Sequence, residues 1–123
     1  MPLYDLRFAI TDIDSAWSTS WFGTRDFVDG IVLESASSFV AEPPAGSSVT
    51  GDGTMPSPWR NANDGGIDEN APGGEMRVRF PGPVTSFTIR YLNTGYLLGG
   101  SPNTNNDQAV FVTGFTFERR GLC

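Results

Sequence analysis

LRFAITDID, residues 6–14, decides the fold. Leu6, Phe8 and Ile10 alternate with Arg7, Ala9 and Thr11, a period of two that places apolar side chains on one face of a strand and leaves the other to solvent. The same period returns in the C-terminal third of the chain. Met76, Val78 and Phe80 alternate with Arg77 and Arg79, and Phe87, Ile89 and Tyr91 alternate with Thr88 and Arg90. Residues 26–35 read differently, with Phe27, Ile31 and Leu33 on one side and Val28 and Val32 on the other. A strand apolar on both faces belongs at the centre of a sheet.

Between these strands the chain is heavily punctuated, with 15 glycines and 9 prolines in 123 residues. Such residues end helices and close turns, and no helix-period stretch exceeds two turns. Phe39 and Val40 start a short strand that Pro43-Pro44 stops. Residues 48–54 read as a strand running into a Gly-Asp-Gly turn. Residues 109–118 form the last strand, with Gly114 at a bulge. Three longer segments, residues 15–25, 55–75 and 93–107, read as loops. The expectation is one domain over residues 1–123: an all-β, two-sheet antiparallel β-sandwich, jelly-roll or immunoglobulin-like, with long end loops. Its core is expected to contain Phe8, Ile10, Ile31, Leu33, Val78, Phe80, Phe87, Ile89, Phe115 and Phe117. There is no internal repeat.

Composition narrows the chemistry. The chain has no histidine, and all eight basic residues are arginines. The commonest general base, the commonest transition-metal ligand and the Schiff-base amine are therefore missing, and the expectation is a protein that is not an enzyme. A carboxylate pair such as Asp12 and Asp26 is all that a glycosidase would have to work with, and so small a domain has little room for its groove. Cys123 is the only cysteine and the last residue, so no internal disulfide forms. The formal charge of −6 opposes nucleic-acid binding, which needs a basic stripe. No run approaches the roughly 20 apolar residues of a membrane span, so no membrane insertion is expected. No secretion signal is visible either; for an exported protein it would have been removed or would lie on a larger parent chain.

An acidic, oxygen-rich surface suits calcium, which takes six to eight oxygen ligands. Asp12 and Asp14 end the first strand and Asp26 begins the second, so these three are the candidate metal ligands. As turn caps paired with Arg25 they would need no ion. Asn103, Asn105 and Asp107, and Asp64, Asp68 and Glu69, form weaker oxygen series that polar turns explain as well. Trp17, Trp21, Trp59 and Tyr96 fall in the expected loops. Such rings either stack on sugars, as in a carbohydrate-binding module, or plug the open ends of a sandwich.

Read in order, FAITDID (residues 8–14), RDFVDGIVL (25–33), VTGDGTMPSPW (49–59), VRFPGPVTSFTIRY (78–91) and the FVTGFTF run (111–117) resemble a β-sandwich domain of large secreted and cell-wall-attached bacterial proteins. Order and spacing carry the resemblance, which spans nearly the whole chain. It implies a location outside the cell or on its surface, and a structural or adhesive module whose partners are copies of itself or neighbouring domains, with glycans as the alternative. It assigns no chemistry. The tryptophan-bearing loop at residues 15–24 and the acidic NDGGIDEN depart from the pattern.

Overall fold

A computed structural model describes residues 2–17, 25–63, 71–93 and 110–119. The elements are strands β1 (Tyr4–Thr11), β2 (Ser15–Trp17), β3 (Arg25–Glu34), β4 (Val40–Ala41), β5 (Val49–Thr50), β6 (Arg60–Asn61), β7 (Met76–Phe80), β8 (Thr88–Asn93), β9 (Phe111–Val112) and β10 (Thr116–Glu118). A single 3₁₀ turn, Pro72–Gly74, is the one helical element among the described residues.

All pairings are antiparallel, and the sheets pack against one another as a β-sandwich. One sheet runs β10-β1-β7-β4, with β9 also on β1, and the other runs β2-β3-β8. β5 and β6 form a small ribbon. The period-two runs set the register. Leu6, Phe8 and Ile10 stand opposite Phe80, Val78 and Met76, and all six are buried. Arg7 stands opposite Arg79 on the outer face, where like charges repel. Asp5 lies between them, 3.2 Å from Arg7 and 3.8 Å from Arg79, and offsets that repulsion.

β3 is central, as its double apolar pattern requires. Ile31 and Leu33 join the core, while Val28 and Val32 are buried as well. Rings thread the sandwich in one chain. Trp59 meets Phe39 at 5.8 Å, Phe39 meets Phe80 at 5.8 Å, and Phe80 meets Phe87 at 5.6 Å. Phe87 stacks on Phe8 at 5.2 Å, and Phe8 meets Phe115 at 5.2 Å. Each pair at such spacing adds about 0.5–1.5 kcal/mol beyond its area burial.

Several expectations change. Residues 15–17 are not loop: Ser15, Ala16 and Trp17 pair with Val28, Phe27 and Arg25. Residues 55–75 hold β6 and the 3₁₀ turn. The last strand breaks into β9 and β10 around residues 113–115, where the bulge was expected. Phe115 and Phe117 are not core residues, being 48% and 46% exposed. Phe115 lies in the break between β9 and β10 and Phe117 lies on β10, which among the described residues is at the border of its sheet. Phe87 and Ile89 are half-buried and pack against the core from its rim.

Candidate functional site

The acidic end of β1 is where the chain crosses from one sheet to the other. Asp12 adopts φ +65°, a left-handed conformation that aspartate tolerates better than most residues and that turns the strand sharply. Ile13, fully buried, anchors the crossing. Its N–H donates to the Gly74 carbonyl at 3.1 Å, and its carbonyl accepts from Asn61 Nδ2 at 3.0 Å. Gly74 fits closely here: a Cβ would lie 3.1 Å from both the nitrogen and the oxygen of Ile13, so the Ile13 backbone would have to shift by a few tenths of an ångström.

Asp14 then joins the second sheet through Asp29 of β3. The Asp14 N–H donates to Asp29 Oδ2 at 3.1 Å, and the Asp14 carbonyl accepts from the Asp29 N–H at 3.0 Å. Asp14 is 7% exposed and Asp29 is fully buried. The Tyr91 hydroxyl of β8 donates to Asp29 Oδ1 at 2.7 Å. A buried carboxylate is tolerated when such donors surround it. Burial, the bond to Asp29, and then the charges of Asp29, Asp14 and Asp12 all push the Tyr91 phenol far above its ordinary value. Three carboxylates therefore act on one hydroxyl at this end of the sandwich.

Of the three expected metal ligands, Asp12 and Asp14 both act on Tyr91, and the carboxylate that meets the Asp14 backbone is Asp29. Asp26 lies in β3 with its side chain outside the described residues. Asp29 shares the phase of Ile31 and Leu33, so its entry into the interior was readable as a lone acid on an apolar face. Among the described residues, no group of three acids could hold a metal ion. The two weaker oxygen series, residues 103–107 and 64–69, lie outside the described residues.

The aromatic candidates divide. Trp59 is fully buried and exchanges backbone hydrogen bonds with Ile31, at 2.9 and 3.0 Å. It belongs to the core and is closed to any ligand, so its assignment as a binding residue is corrected. The reason is strand pairing: Trp59 bridges to β3 at Ile31, beyond the residues that β2 covers, instead of standing in a loop. Its indole N–H is buried and makes no hydrogen bond among the described residues. Trp17 lies in β2 with its side chain outside the described residues, and Trp21 and Tyr96 lie outside them altogether.

By fold the chain is an antiparallel β-sandwich with a carboxylate–tyrosine cluster at one end. Compared with known proteins, it matches no family model, no curated protein and no solved structure.

Proposed function

We propose that the chain is a non-catalytic extracellular structural or adhesive module, a β-sandwich unit of a bacterial surface or secreted protein that meets copies of itself or neighbouring domains. The observation that supports this is the border strand. Phe111, Val112, Phe115 and Phe117 are each between 44% and 48% exposed on β9, β10 and the break between them, and among the described residues these two strands pair only with β1. Edge strands carry unpaired backbone groups ready to pair with another chain, and soluble proteins usually blunt them with charge or proline. Here large apolar side chains stand there instead, as they do at interaction sites. The lack of histidine and lysine supports a role without catalysis. No described helix is long and apolar enough to cross a membrane.

Calcium is the ion proposed for the acidic end, drawn by Asp12 and Asp14 with Asp29 behind them. Its support is the turn at the end of β1, where Asp12 at φ +65° and Asp14 follow one another into the second sheet. The described acids do not complete a calcium shell, so other oxygens must contribute. The carbohydrate-binding alternative loses Trp59 and retains Trp17, Trp21 and Tyr96.

Sedimentation velocity over a concentration series tests the edge reading. The parent chain should show reversible association in the weak range expected of a small patch. Phe111→Ser with Phe117→Ser should remain monomeric at every concentration. A parent that stays monomeric throughout, or a double variant that associates as well as the parent, removes self-association from the reading.

A further inference from the structure

The outer face of the β10-β1-β7-β4 sheet holds a groove of about 410 Å³, and its shape follows from three local features. Ala9 forms the floor, with a methyl group where its neighbours on that face of β1 carry Arg7 and Thr11. The break between β9 and β10 carries one wall outward at Gly114, where an added Cβ would meet nothing within 4 Å. Thr113 fixes that wall to the floor, its hydroxyl accepting from the Ala9 N–H at 2.8 Å and its N–H donating to the Ala9 carbonyl at 2.9 Å. β1 also leaves regular strand geometry beside the groove. Asp5 has φ +47° at the register shift between Tyr4 and Arg7. Backbone in that region is costly for residues other than glycine and gathers at functional sites.

The lining carries both charge signs in balance. Arg7 and Arg77 supply guanidinium donors, Glu42 and Glu75 supply carboxylate acceptors, and Thr113 and Thr116 can do either. Arg77 lies 3.3 Å from Glu75 and its side chain is 59% exposed. Arg7 lies 3.2 Å from Asp5 and is 55% exposed. Exposed pairs of this kind hold their partners weakly, by about 0–1 kcal/mol, so the groups can turn to a ligand at little cost. An anion would meet Glu42 and Glu75, and a cation would meet Arg7 and Arg77. A hydroxyl both donates and accepts, and a ring of hydroxyls satisfies both sets at once.

We propose that this groove, one wall of which is the β9–β10 segment itself, binds a neutral saccharide unit. Pockets that take small ligands begin at about 300 Å³, and this one lies near that lower limit, suiting one or two sugar rings. A ligand of that size, held by exposed polar groups, should bind with a Kd on the order of 1 mM.

The test is amide chemical-shift titration of the ¹⁵N-labelled chain with methyl glycosides of glucose, galactose and mannose, each separately. Sodium glucuronate and sodium sulfate form the anionic arm. At least one neutral glycoside should give saturable shifts at the amides of Ala9, Arg77 and Thr113. Arg77→Gln should weaken that binding by about tenfold, equivalent to losing one good polar contact. Ala9→Leu, which fills the floor, should abolish it. Should Ala9→Leu fail to fold, Arg77→Gln alone decides, because its side chain is exposed and structurally dispensable. Shifts produced only by glucuronate and sulfate would make this an anion site and overturn the proposal. So would the absence of saturable shifts, or shifts that neither variant alters. Because the groove shares residues 113–116 with the border strand, the titration is run at a concentration where sedimentation shows monomer, so that a failure of either proposal is read separately from the other.

Discussion

Placing a methyl group on Gly53 tests the account of the core at its most crowded point. Gly53 sits at φ +76°, where an alanine costs roughly 1–2 kcal/mol in backbone strain. Its new Cβ would also lie 2.7, 2.8 and 3.0 Å from three atoms of the Trp59 indole. That ring has little room to retreat. It is fully buried, its edge meets Phe39 at 71°, and its backbone is held to Ile31 on both sides. Gly53 is held as well, since its carbonyl accepts from Leu33 at 2.8 Å and its N–H donates to Ser57 at 3.0 Å. Overpacking a rigid site of this kind costs about 1–3 kcal/mol. Together the two effects give about 2–5 kcal/mol, a large share of the 5–15 kcal/mol that stabilises a typical domain. Urea unfolding followed by far-ultraviolet circular dichroism should show Gly53→Ala with a lower midpoint and an unchanged slope. Gly82→Ala is the control, because its Cβ would meet nothing within 4 Å, and it should stay within about 0.5 kcal/mol of the parent. If Gly53→Ala matches that control, the packing of Trp59 against the turn is not what holds this region.

Two further predictions concern the acidic end. The folded chain keeps the Tyr91 proton above the ordinary phenol value of about 10, whereas the unfolded chain releases it there. The stability linked to Tyr91 is therefore complete below about pH 10 and is lost as pH rises beyond it, towards the folded value. Tyr91→Phe should flatten that alkaline decline in thermal-melt series, and an unchanged slope would place its origin elsewhere. Calcium should raise the unfolding midpoint of a chelator-treated sample, by about 2.7 kcal/mol at a hundredfold excess over Kd. Magnesium should do so far less, and Asp14→Asn should remove most of the gain. A midpoint indifferent to calcium leaves these aspartates as turn formers and hydrogen-bond partners.

Alternation in sequence states which side chains share a face, and no more. For Leu6, Phe8 and Ile10 against Met76, Val78 and Phe80 that sufficed, because both strands lie well inside their sheet and whatever points inward is covered. Asp29 has the same phase as Ile31 and Leu33, but nothing local in the sequence says what holds an acid there. Its place among them makes sense only once Asp14 and Tyr91 arrive from distant parts of the chain to supply its donors. Trp59 shows the converse: a residue amid turn formers reads as loop until strand pairing, a non-local event, brings it against Ile31. The groove was equally hidden, since it depends on how far the β9–β10 break stands from Ala9.

Phe115 and Phe117 carry the most informative discrepancy. Their alternation is that of a core-facing strand, and Phe115 does meet Phe8 and Phe87, yet both remain nearly half exposed. Periodicity cannot report how wide the opposing sheet is, and among the described residues three strands face a five-stranded sheet. Phe115 gains ring contacts within the chain, but the exposed halves of both rings add nothing to its stability and raise its tendency to aggregate. Core patterning on a border strand is what the proposed association would use, since it would bury the exposed halves of Phe115 and Phe117. This is why the border strand, more than the acidic end, supports the assembly reading.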